Sequence, residues 1–162
     1  MRLRLQESGA NSGQWGTLLN TTISNIASAF SLGSEAIPNA STHTITLADG
    51  TADEARSMYL KCTGGGQACT VTLAPNTISK VWIISNETSA TLTFSQGSGA
   101  NVAIAAGAVK VIVTDGAGSG AAVVDALSGL SANVSDLTTT GNISFGDNDK
   151  ATFGADSDLQ IY

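Results

Sequence analysis

The chain has 162 residues, 42% hydrophobic, 12% charged and 5% aromatic, enough to bury a core that hides roughly 70% of the unfolded surface without a disulfide framework or a structural metal. Seven basic residues stand against thirteen acidic ones, a net charge of −6. The basic ones, Arg2, Arg4, Arg56, Lys61, Lys80, Lys110 and Lys150, are scattered, so no nucleic-acid partner is expected. Only two cysteines are present, which excludes a disulfide-rich secreted scaffold.

The opening Met1-Arg2-Leu3-Arg4-Leu5 has no apolar stretch behind it, and no signal peptide is expected. The longest uncharged stretch, Thr88 to Val109, is too rich in Ser, Thr, Gln, Asn and Gly for a membrane span. Synthesis in a cytoplasm and no membrane partner are therefore expected. The first segment, 1–35, reads as an anchor with a short helix. Trp15 opens it, and Leu19, Ile23, Ile26 and Phe30 follow at spacings of four, three and four, one stripe of a helix, with Gly33 as a stop. Two readings of the stripe stand side by side: the helix lies on its own domain's core, or it forms a two-heptad seam between identical chains, helped by neighbouring domains because helix nucleation is costly.

Residues 40–127 read as strands. Thr44-Ile45-Thr46-Leu47, Met58-Tyr59-Leu60, Thr70-Val71-Thr72-Leu73, Val81-Trp82-Ile83-Ile84, Thr91-Leu92-Thr93-Phe94, Val102-Ala103-Ile104, Val109 to Val113 and Ala122 to Val124 are short and rich in β-branched residues. Turn signals separate them, among them Asp49-Gly50, Gly64-Gly65-Gly66, Pro75-Asn76, Gly97-Ser98-Gly99 and Asp115-Gly116. This spacing predicts an antiparallel β-sandwich or jelly-roll-like domain. Val81 to Ile84, apolar on both faces, is the expected central strand.

From 128 to 162 a linker leads into a repeat. Ser144-Phe145-Gly146-Asp147-Asn148-Asp149-Lys150-Ala151 is followed by Thr152-Phe153-Gly154-Ala155-Asp156-Ser157-Asp158-Leu159, a period of eight. Each unit carries one aromatic, one Gly and an Asp-rich tip, and cannot bury its Phe alone. Phe145 and Phe153 are therefore expected to stack on the neighbouring unit or on another chain. The apolar end Gln160-Ile161-Tyr162 predicts that the polypeptide continues.

No constellation for catalysis, metal or cofactor emerges, and no enzyme is expected. The run Gly116-Ala117-Gly118-Ser119-Gly120 follows a strand, as phosphate-cradling turns do, but no strand–helix–strand unit surrounds it, so a hairpin loop is the reading. His43 is the single histidine. Cys62 and Cys69 enclose six residues, a spacing compatible with facing positions across a hairpin, as two reduced thiols or as a bridge; further zinc ligands are missing nearby. Asp147, Asp149, Asp156 and Asp158 read as solvated turn residues, and Asn86-Glu87-Thr88 has meaning as a glycosylation acceptor only in a secretory pathway.

Two stretches carry a resemblance. Ser12-Gly13-Gln14-Trp15-Gly16-Thr17-Leu18-Leu19-Asn20-Thr21-Thr22-Ile23 resembles the Trp-Gly-x-x-x-Asn-x-x opening of many bacteriophage tail-fibre and appendage proteins. The stretch Leu137 to Ala151 with Phe153 to Tyr162 is similar to the repeats that open the shaft of marine phage fibres, including those of cyanophages, and Ala105 to Gly116 is similar to further segments there. Together these cover roughly half of the chain. The resemblance implies a homotrimer in the virion, docked on the phage tail or another virion protein through its N-terminal segment and projecting a fibre for host attachment. It implies docking or trimer contacts at Trp15, Leu19, Ile23, Ile26 and Phe30, and a repetitive trimeric β shaft with Phe145 and Phe153 in its core. A capsid-attached head fibre or decoration protein fits the same pattern, and a carbohydrate-binding module is the alternative from another class, poorly served by so few aromatics.

Overall fold

The computed structural model describes residues 8–9, 11–130, 139–143 and 147. The chain divides into a unit that ends at Leu130 and a second from Ser131 onward; the first holds every helix and strand among the described residues. It is mainly β, with one α-helix and two mixed sheets. Helix α1 (Trp15–Ala29) is followed by β1 (Leu32–Ile37), β2 (Thr42–Thr46), a single 3-10 turn at Glu54–Arg56, β3 (Tyr59–Gly64), β4 (Cys69–Ala74) and β5 (Ser79–Asn86). Then come β6 (Leu92–Ser95), β7 (Val102–Ile104), β8 (Val109–Asp115), a 3-10 turn at Gly118–Gly120 and β9 (Val123–Asp125).

The first six strands alternate between two sheets, one of five strands in the order β1-β3-β5-β8-β9 and one of four in the order β2-β4-β6-β7. β1 pairs with β3 and β3 with β5 in parallel, as do β2 with β4 and β4 with β6. Only the later strands return antiparallel, in the pairs β5–β8, β6–β7 and β8–β9. Antiparallel pairing throughout was the expectation, and the first six strands depart from it. A parallel pair ordinarily needs a long crossover, often a helix; here the crossover is a strand of the opposite sheet. Short turns that read as hairpins instead carry the chain from one sheet to the other.

β5 is the middle strand of the larger sheet, in keeping with its two apolar faces. Its inward residues Trp82 and Ile84 meet Leu60 and Cys62 of β3, Ile112 of β8 and Val123 of β9 in one buried cluster with Ile45, Val71, Leu73, Leu92, Phe94 and Ile104 of the smaller sheet. Burial of each such large side chain is worth about 1.5–3 kcal/mol. Strand β1 was not expected, since Gly33 read as the stop of the helix and 1–35 as an anchor segment. Gly33 is not the helix stop: α1 ends at Ala29, and a Cβ at Gly33 would lie 2.5 Å from the Glu54 carbonyl oxygen and 2.7 Å from Ser57 Oγ. Only glycine lets β1 pass this close to the Glu54–Arg56 turn.

Where the chain leaves a sheet its backbone groups lose their ladder partners, and buried amides replace them. Asn86 Nδ2 donates to the carbonyls of Ala90 at 2.9 Å and Ile104 at 2.8 Å, while its Oδ1 accepts from the Thr88 backbone N–H at 3.1 Å and the Thr88 hydroxyl at 2.7 Å. Gln96 Nε2 donates to Ile78 O at 2.7 Å and its Oε1 accepts from Gly116 N–H at 3.2 Å. Asn86 is fully buried, so the acceptor-like tripeptide Asn86-Glu87-Thr88 is a corner peg closed to modification in the folded chain.

Cys62 and Cys69 are free and buried, and they do not face each other across a hairpin. Cys62 lies in β3 of the larger sheet and Cys69 in β4 of the smaller one. Burial, with Glu35 and Glu87 adding like-signed charge, pushes the Cys62 thiol up to about 12. The glycine run after β8 connects two antiparallel strands. Asp115 caps that turn, accepting from the N–H groups of Ala122 and Ala117, each at 3.0 Å, which holds its carboxyl below the usual carboxylate range.

Candidate functional site

Helix α1 is poorly supported by its own sequence. Eight of its fifteen residues are Gly, Thr, Asn or Ser, all weaker helix formers than Ala. Gln14 provides no side-chain cap, and neither end carries a charge that would complement the helix dipole. Thr21 and Thr22 bond back to the carbonyls of Thr17 and Leu18, both at 3.0 Å. A lone helix of this length is marginal in water, so its stability must come from packing.

The described residues supply little of that packing. Asn25 is the helix's single buried residue among those described, and its Nδ2 donates to Gly50 O at 3.1 Å. The helix thus rests on the body by a polar, small-residue face. The stripe Trp15, Leu19, Ile23, Ile26 and Phe30 lies on the other side, with exposures from 37% at Ile26 to 71% at Phe30. All five are exposed, so the described residues do not bury this stripe on the domain's own core. All five side chains predicted for docking or trimer contacts are brought together on one open face. The two predicted for the shaft core, Phe145 and Phe153, lie outside the described residues.

At its C-terminal end the helix meets a knot of charge that the sequence did not single out. Arg56 is fully buried, donates from Nη2 to the carbonyls of Ala48 and Thr51, both at 2.8 Å, and lies 3.6 Å from the Asp53 carboxylate. Asp53 Oδ2 in turn accepts from Ala48 N–H at 2.9 Å. Beneath them, Lys80 Nζ donates to Ser57 O at 2.8 Å and stands 4.2 Å from the centre of the Trp82 ring. Burial lowers the Lys80 ammonium to about 7, against the pull of Asp53 and with the help of Arg56. Trp82 Nε1 donates to Ala55 O at 3.1 Å. Together these bonds staple the loop under α1 to the central strand.

The chain matches no protein-family model, no curated protein and no solved structure. The functional reading therefore rests on the residues themselves. Among those described, no three His, Cys, Asp or Glu side chains gather as metal ligands. His43 Nε2 lies 2.7 Å from Glu35 Oε1, joining β2 to β1 across the two sheets. What the sequence left unseen was the set of buried Arg56 with half-buried Asp53 and Lys80. The spacing of Asp53 and Arg56, three apart in a turn, was its one local sign.

Proposed function

We propose that this chain is the N-terminal portion of a bacteriophage tail fibre, a structural virion protein rather than an enzyme. In this reading it is a homotrimer whose helices dock together, and onto the phage tail, through Trp15, Leu19, Ile23, Ile26 and Phe30. The two sheets form a sandwich-like body, and the segment with Phe145 and Phe153 begins a repetitive shaft that projects towards the host. The observation that supports this best is the open apolar seam on a helix too weak to stand alone. A contiguous exposed apolar stripe marks an association site, and a period of three and four suits a coiled seam between like helices.

Light scattering coupled to size exclusion tests the reading. The full chain is expected to run at three times its 16.3 kDa mass, and Leu19→Asp with Ile23→Asp is expected to reduce it to one. A wild-type monomer at micromolar concentration overturns the homotrimer. A virion pull-down with the purified chain separates tail from capsid attachment, and capture by capsid protein alone overturns the tail assignment.

A further inference from the structure

The first six strands wind as a flat coil of three windings, β1 with β2, β3 with β4 and β5 with β6, each strand lying parallel on its counterpart in the winding before. The register follows one inward position of each sheet through all three. On the smaller sheet His43 is followed by Val71 and Phe94; on the larger, Glu35 is followed by Cys62 and Asn86. Val71, Phe94, Cys62 and Asn86 are fully buried, and none of them is charged. In the first winding the same two positions hold an ionisable pair, His43 Nε2 lying 2.7 Å from Glu35 Oε1 between the sheets. The two ends of the stack also close differently. At the far end the edge strands β7 and β9 are three residues each, and Val123 N–H donates across to Ala100 O at 2.7 Å; edges this short invite little pairing. At the near end β1 and β2 are edges of six and five residues, each pairing with one strand only among the described residues.

We propose that Glu35 and His43 plug this end of the coil and keep the strands of a second copy from adding to β1 and β2. Two long edges side by side are the template on which a further winding would be laid, and every copy carries strands able to supply one. A winding stacked there would press its own inward side chains against the pair and strip water from the Glu35 carboxylate, whose described side-chain partner is His43 alone. Removing a charge from water without giving it a new partner is costly. Inward-pointing charge on an edge strand blocks edge-to-edge pairing in this way, and stacked arrays need a polar terminal unit for the same reason. The register separates a plug from a mere clamp: the inner windings hold the sheets together at these positions without charge, so cohesion does not call for an ion pair, whereas an end does.

Glu35→Val with His43→Val, which gives the first winding an uncharged interior like that of the others, tests this in the full chain. Light scattering is expected to find at least double the wild-type mass at the same concentration, rising further as the protein is concentrated, while the far-ultraviolet circular dichroism stays that of the wild type. Ser34→Val with Thr44→Val, at exposed positions of the same two strands, is expected to leave the mass unchanged. A folded Glu35→Val, His43→Val chain that keeps the wild-type mass overturns the plug, and so does equal growth in the Ser34→Val, Thr44→Val chain. If the inward valines prevent folding, Glu35→Gln with His43→Leu decides, since it removes the charge and keeps a hydrogen-bonding group. The same growth is expected of it, and a folded chain of wild-type mass overturns the proposal. Failure of both variants to fold makes the pair a clamp that the fold requires, and overturns the plug as well. Each mass is read against that of the wild type, so the outcome is the same whether the wild type is one chain or three.

Discussion

Lys80 holds a charge where water is scarce. Unfolded, its ammonium keeps its proton to about pH 10.5; folded, it releases it near 7. Between those values the unfolded chain binds more protons than the folded one, so stability rises with pH across that window and the penalty is fully present below it. Thermal melts from about pH 7 to about pH 10 are expected to show a rising midpoint, and Lys80→Met is expected to flatten the rise. Asn86 makes a different kind of claim. Its amide satisfies two carbonyls and accepts twice from Thr88, so Asn86→Ala leaves buried polar groups without partners and is expected to cost about 2–3 kcal/mol in urea unfolding. Neither residue was legible as structural in the sequence. An Asn in a turn and a Lys at a strand's start look like solvated surface, because the partners that tie them into the fold, Ile104 O for Asn86 and Ser57 O for Lys80, lie 18 and 23 positions away.

Elements were legible where a local period marks them. The helix stripe shows because a spacing of three and four needs no knowledge of the fold, and β5 shows because both its faces are apolar. β1 was hidden: Gly33 is there for its closeness to Glu54, a neighbour that sequence spacing does not announce. Pairing direction was hidden as well, since Leu32 finds its partner in Tyr59, a full circuit of both sheets later. Two glycines separate these effects. Gly33→Ala is expected to destabilise by about 1–3 kcal/mol through overpacking, measured by chemical denaturation. Gly16→Ala, in the helix with nothing within 4 Å of the added carbon, is expected to stabilise by about 0.5–1 kcal/mol.

At the scale of the molecule, the proposed homotrimer has its helix stripe covered by copies of the chain, which ties folding to concentration. Its thermal midpoint is expected to climb as the protein is concentrated, and the climb is expected to vanish in Leu19→Asp with Ile23→Asp. The larger sheet also has a mechanical meaning. β1, β3, β5 and β9 run one way and β8 runs against them. Tension entering at Leu32 and leaving at Asp125 drags the first and last strands in opposite directions along their length. The load then falls at once on every partner position from Leu32↔Tyr59 to Ile37↔Gly64, and the ladder shears as a unit. A pull between Leu32 and Asp115, at the same end of the sheet, would open hydrogen bonds one after another like a zip. Force spectroscopy is expected to find the first geometry the stronger, which makes this body a link that grips harder along the line of pull than across it.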